Sequence, residues 1–245
     1  MRNPFVAVDT ATDLRARAQA LRRSWESTMG GGPSAGVRPV IERSWRRLTD
    51  AGLDPGHLHP RRAFEAAALD DVRAASPLRH VMGLLRGCLG RFADDAEHVM
   101  VVVDATGRIL WIEGHPGVRG RAEAITFREG MEWTEDSAGT NAIGTALAIE
   151  HAVQVFSAEH FLPEQHEWWC SAAPVHDPVT RELLGIVDLS GPLRTAHPHS
   201  LALVVAAAGM AEEALSLRRA AEDERLRRAF LERSAQAAPR GAAPT

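Results

Sequence analysis

Residues 98–114 read HVMVVVDATGRILWIEG, and no other stretch limits the possible folds as tightly. Each apolar run is too short for an independent helix, and the turn formers DATG separate the two, so the pair predicts an antiparallel hairpin. Alternation along the second strand puts Ile109 and Trp111 on one face and Leu110 and Ile112 on the other. With both faces apolar, the sheet holding this hairpin has to be covered on both sides.

The rest of the chain supplies further strands and the covering layers. CSAAPV and LLGIVDLSG flank the loop HDPVTRE as a second hairpin, AVQVF reads as a strand, and EHFLPEQHEWW as a polar connection with helical turns. Upstream, Leu14, Leu21 and Trp25 recur at helical spacing before GGGPSAG interrupts them. In VIERSWRRLTDAG, Ile41, Trp45 and Leu48 fall at i, i+4 and i+7, with Trp45 as a packing anchor. After Pro77 the residues Leu78, Val81, Met82, Leu85, Leu89 and Phe92 form one helical stripe, beside which Cys88 reads as core. From Pro198 onward Leu201, Val204, Val205, Ala208 and Ala211 mark a face that continues through Leu215, Leu226 and Phe230. Asp223 with Arg227 and Glu224 with Arg228 are acid-first i, i+4 pairs on that helix, which matches its arginines with acids. The tail AAPRGAAPT reads as disordered. These patterns divide the chain into a helical lead-in over residues 1–75, an α+β domain with an antiparallel sheet over 76–215, and a C-terminal helix with its tail over 216–245.

Residues 133–147, WTEDSAGTNAIGTAL, have the look of a phosphate loop. A Walker-type loop needs a Lys, and this chain has none; a dinucleotide loop needs G-x-G-x-x-G, whereas Gly139 and Gly144 lie five apart behind Glu135 and Asp136. What remains is a helix start, capped by Asp136 or Ser137, whose small residues allow a close approach to a sheet or a ligand.

A content of 45% hydrophobic and 24% charged residues is that of a globular protein, and the net charge of −4 argues against a dedicated nucleic-acid binder. No apolar run approaches bilayer length and no signal-peptide pattern opens the chain, so a cytoplasmic protein without membrane contact is expected. The two cysteines, Cys88 and Cys170, form neither a redox nor a zinc motif.

The wording of GMEWTEDSAGTNAIGTALAIEHAVQVFSAEHF and CSAAPVHDPVTRELLGIVDLSGP closely resembles the GAF sensor domain of acetoin/glycerol-type, sigma-54-dependent bacterial transcriptional regulators. The upstream RPVIERSWRRLTDAGLDP resembles their lead-in, so the likeness covers roughly residues 37–215. It implies a GAF-like central antiparallel sheet flanked by helices, with a pocket for a small organic effector, and a sensing module rather than an enzyme. Such regulators usually continue into an AAA+ ATPase and a helix-turn-helix, neither of which this chain shows; a separate DNA-binding or transcription partner is therefore expected.

In that reading Thr140, Asn141 and Thr145 offer hydrogen bonds to the effector, or brace their own backbone instead. Trp111 and Trp133 supply apolar walls. Asp188, between Val187 and Leu189, needs a partner if it points inward, while alternation leaves a solvent-facing position open. His160, His166, Cys170 and His176 form the best metal constellation, but the loop–strand split of His166 and Cys170 argues against a metal or haem. Cys170 also invites a nucleophile reading, without an orienting third group. No cofactor is expected, and the apolar C-terminal helix points to a homodimer; the alternative functions are dimerisation or interaction without a ligand and, after it, a Cys-dependent redox enzyme.

Overall fold

The computed structural model describes residues 3–237. The strands β1 (Val99–Asp104), β2 (Ile109–Gly114), β3 (Val153–Phe156), β4 (Trp168–His176) and β5 (Leu183–Pro192) form one antiparallel sheet in the order β2-β1-β5-β4-β3. The last strand in sequence is thus the middle of the sheet, and it is buried from Gly185 to Pro192. Helices α1 (Leu14–Met29), α2 (Pro39–Asp50), α3 (Leu69–Ala75), α4 (Met82–Leu85) and α5 (Arg91–Asp95) precede the sheet. Between β2 and β3 lie α6 (Pro116–Ala124), α7 (Glu135–Ala138) and α8 (Ala142–Ile149), and α9 (Ser200–Ala237) closes the chain. This is the α+β architecture expected from the sequence.

Each face of the sheet has its own core. On the front face, Val101, Val103, Val155, Cys170 and Ile186 pack with Ile41, Trp45 and Leu48 of α2 and with Ala142, Ile143 and Ala146 of α8. On the back face, Met100, Val102, Trp169, Val187 and Leu189 pack with Leu85 of α4, Ala93 of α5 and Val204, Ala208 and Ala211 of α9. The lead-in helices belong to these cores: Trp45 is a buried anchor, as its spacing suggests, and its indole N–H donates to the Glu159 carbonyl at 3.0 Å.

Two local irregularities change which residues face inward. Val102 pairs with Trp111 but Val103 pairs with Ile109, so Leu110 is the extra residue of a β-bulge. The bulge breaks the alternation expected for β2: Ile109 and Ile112 face the front core, and Leu110 and Trp111 the back. In the helix before β1, a π turn over Arg86–Gly90 joins α4 to α5 and takes up an extra residue. The apolar stripe therefore passes from Leu89 to Ala93, while Phe92, expected inside, is 42% exposed; Cys88 is half-buried rather than core.

The 38 residues of α9 span about 57 Å at 1.5 Å per residue. Leu201, Val204, Ala208 and Ala211 are buried as their period predicts, but Val205 lies on the flank, 47% exposed. Contrary to the reading of the sequence, this helix carries a stretch of mean hydropathy 1.5, apolar and long enough by composition to cross a membrane. Of that stretch 39% is buried, with Val204, Ala208 and Ala211 against the back of the sheet. Beyond Leu217 the helix is largely exposed; Glu224 and Arg228 pair at 2.8 Å as expected, but Asp223 and Arg227 form no ion pair. The segment AAPRGAAPT, past its first residue, falls outside the described residues.

Candidate functional site

The run WTEDSAGTNAIGTAL folds into two short helices, not one. Gly139 adopts φ +68°, and a Cβ there would meet Phe161 Cβ at 2.6 Å. Asn141, rather than Asp136 or Ser137, caps α8: its Oδ1 accepts from Gly144 N–H at 2.9 Å, while its Nδ2 donates to the carbonyls of Gly139 (2.8 Å) and Trp133 (3.3 Å). Gly144 permits close contact, since a Cβ there would sit 2.7 Å from the Glu135 amide nitrogen. We expect Asn141→Ala to cost about 1–2 kcal/mol of stability through the lost cap. Urea unfolding reads this directly, and an unchanged midpoint would show that the cap contributes nothing.

Thr140 and Thr145 are occupied by a buried acid. Glu135 accepts from Ser44 Oγ (2.5 Å), Thr145 Oγ1 (2.8 Å) and the Arg47 guanidinium (Nε 3.0 Å and Nη2 2.8 Å to Oε2). Because Ser44 spends its proton on the carboxylate, the Thr140 hydroxyl donates to Ser44 Oγ, 2.6 Å away. This network ties α2 to α7 and α8. A second buried acid, Glu159, accepts from Arg38 Nε at 2.8 Å and Nη2 at 2.5 Å, from Arg17 at 3.5 Å and from the Phe156 amide at 3.1 Å. It holds the loop from Ser157 to Gln165 against the lead-in. Sequence reasoning missed both acids; the available signal was a Glu inside otherwise small or apolar wording, in WTEDSAG and SAEHF.

That loop delivers His160 to the front face of the sheet. His160 Nδ1 lies 2.9 Å from the Ser157 carbonyl and so carries the proton, leaving Nε2 to accept from the Cys170 thiol at 3.4 Å. Burial pushes the imidazole down to about 4 and the thiol well above its ordinary value. The contact is therefore between a neutral thiol and a neutral imidazole, the opposite polarity from an activated nucleophile.

Cys170 pairs across the sheet with Ser190, and Asp188 is one side-chain step farther along β5, between Val101 of β1 and Ala172 of β4. Asp188 points inward and is completely buried. Its Oδ2 accepts from Ser190 Oγ at 2.5 Å, and its Oδ1 has no hydrogen-bond partner. Burial pushes its carboxyl up to about 8, only partly opposed by the Ser190 hydroxyl, so at neutral pH the group is mainly protonated. Trp133 belongs to the same front core, its ring tilted by 53° against that of Phe127 with 4.3 Å between centroids, and its indole N–H also has no partner. A buried polar atom left unpaired is costly, and two in one core are unusual.

Of the residues singled out in the sequence, the structure thus gathers Trp133, Cys170 and Asp188 on the front face, with Thr140, Asn141 and Thr145 in the frame around them. Trp111 is separated from them by the sheet, because the bulge turns it to the back, where Arg73 lies 5.6 Å from its ring. The histidines diverge: His166 Nε2 lies 3.2 Å from the His160 carbonyl, whereas His176 pairs with Glu212 on α9 at 3.2 Å. Among the described residues no group of three side chains is arranged to hold a metal.

Comparison with known proteins accords with this architecture. The fold matches a chain of the crystal structure of the Escherichia coli DhaR(N)–DhaL complex, with a TM-score of 0.71 at 21% identity over 79% of this chain and 66% of that one. An uncharacterised 47.3 kDa protein from the thcA 5′ region of Rhodococcus erythropolis is 38% identical across 87% of this chain, and the acetoin dehydrogenase operon transcriptional activator AcoR of Bacillus subtilis 33% identical across 84%. The chain spans 51% of the former and 34% of the latter. Residues 10–213, which take in the lead-in helices, the whole sheet and the buried part of α9, match the family model described as the MimR N-terminal domain, and the chain belongs to that family.

Proposed function

We propose that this chain is the effector-sensing part of a cytoplasmic transcriptional regulator, in which a small organic molecule binds on the front face of the sheet and the change passes through β5 to α9. The observation that carries this reading is Asp188: a buried carboxyl in the middle strand, with one oxygen unpaired, is a cost that a ligand's hydrogen bond would offset. Trp133 and Cys170 belong to the same front core, and Thr140, Asn141 and Thr145 brace α7 and α8 beside it. Val187 and Leu189, on either side of Asp188, pack in the core that α9 covers, so displacement of β5 is felt on both faces. Membership of a family with an operon activator among its relatives supports the regulatory setting. Thermal melts with a panel of diols, ketones and aromatic acids test the reading. A true effector at a hundred times its Kd adds about 2.7 kcal/mol, and a panel that leaves both wild type and Asp188→Asn unmoved counts against it.

The output surface we assign to the exposed part of α9. Leu226, Phe230 and Leu231 are 67%, 70% and 59% exposed on a helix that has left its own core. A second copy of the same helix is the proposed cover, with a separate DNA-binding or transcription protein as the further partner. Light scattering is expected to show a dimer for the full chain and a monomer after truncation at Leu217; a full-length monomer at tens of micromolar removes this part of the proposal.

A further inference from the structure

A groove of about 790 Å³ runs between α1, α6 and the turn after β5. Its apolar surface comes from Leu14, Ala18, Pro192 and Leu193, and four arginines reach it: Arg15 and Arg22 from α1, Arg121 from α6, and Arg194. Two acids, Asp13 and Glu167, also line it, so the local balance is 4 − 2 = +2 in a chain whose net charge is −4. Both acids are engaged. Asp13 caps α1 by accepting from the Arg15 and Ala16 amides at 3.0 Å each, and Glu167 pairs with Arg22 at 3.2 Å. Arg194 pairs with Glu97. The guanidinium groups of Arg15 and Arg121 are left without an acidic partner among the described residues. Arg121 is held over the Trp168 ring at 5.5 Å from its centroid, a contact that orients the planar group while consuming none of its N–H donors.

We infer that this groove is a binding site for a small organic anion, whose carboxylate or phosphate group is taken by Arg15 and Arg121 and whose apolar body lies along Leu14, Ala18 and Leu193. The volume is that of a small-molecule site, and a few polar groups beside an apolar surface are the usual composition of one. Planar guanidinium groups with free donors suit carboxylate and phosphate oxygens in particular. The groove includes Ser157, whose carbonyl orients His160, but none of Trp133, Cys170 and Asp188, so Arg15 and Arg121 can be tested separately from the effector reading.

Calorimetry on the full chain, with hexanoate and inorganic phosphate as probes and hexanol as the uncharged control, tests the site. Wild type is expected to bind at least one of the two anions saturably and hexanol not at all, with affinity falling as salt is raised. Arg15→Gln and Arg121→Gln are each expected to weaken binding about tenfold or more, with melting curves showing that the variants are folded. Arg23→Gln, on α1 but outside the groove, is expected to bind like wild type. Absence of saturable anion binding in the millimolar range overturns the inference, as does wild-type affinity in the two groove variants. Binding of a glutamate-rich peptide with neither small anion overturns it too, in favour of a protein-docking surface.

Discussion

Between pH 6.5 and pH 8 the wild-type protein is expected to lose about 2 kcal/mol of stability, and Asp188→Asn is expected not to. The carboxyl of Asp188 is pushed up to about 8 in the folded chain by burial, from an ordinary value of 3.8. The folded state holds this proton while the unfolded state has already released it. Its contribution to stability is thus fully present below about pH 4 and is lost as pH rises towards 8, at roughly 1.4 kcal/mol per pH unit. Below pH 6.5 four histidines lowered chiefly by burial, His80, His98, His160 and His166, act in the other direction. His160 and His166, both lowered to about 4 chiefly by burial, are neutral when folded and charged when unfolded, so their contribution falls as the solution is acidified. The clean window therefore lies above their unfolded value. In a chain of this size the loss corresponds to a fall in Tm of roughly 4–8 °C. Parallel pH profiles for wild type and Asp188→Asn would mean that the carboxyl titrates normally, and the physical basis for an interior recognition group would go with it.

Glu159→Ala is expected to have the larger effect on stability at any one pH, about 3–5 kcal/mol, or a fall in Tm of roughly 6–20 °C. Glu159 is fully buried, and its removal leaves Arg38, whose side chain is 10% exposed, without its counter-charge. Truncating one partner of a buried pair costs more than the pair contributes net, because the survivor stays desolvated. The effect should be shared with the lead-in, since Arg38 and Arg17 both precede the sheet. A double-mutant cycle with Arg38→Gln is expected to give a coupling above about 1 kcal/mol. A melting point within a degree or two of wild type would show that the loop over His160 is held by apolar packing alone.

Local periodicity was enough to locate both hairpins, the stripe from Leu78 to Leu89, the Trp45 anchor and the buried face of α9, because each pattern is decided by neighbours a few residues away. It failed wherever the count of residues per turn or per strand shifted by one. The bulge at Leu110 and the π turn before Phe92 each change the facing of the neighbouring residues, and neither leaves a mark in composition. Helix α6 went unrecognised because HPGVRGRAEA is rich in glycine and charge and buries only Val118 and Ala122.

By itself the sequence determined the class of the fold, the family wording and the presence of an odd acid in an apolar strand, since these depend on residue types and short-range order. Only the tertiary structure decided what the odd residues do. Asp188 faces inward because its strand is the middle one, a fact set by pairing with β1 more than eighty residues upstream. Thr140 and Thr145 serve Glu135 because α2 brings Ser44 and Arg47 across about ninety residues to meet them. A hydrogen bond or ion pair depends on distance in space, and chain separation carries no information about it until the two cores of the sheet have closed.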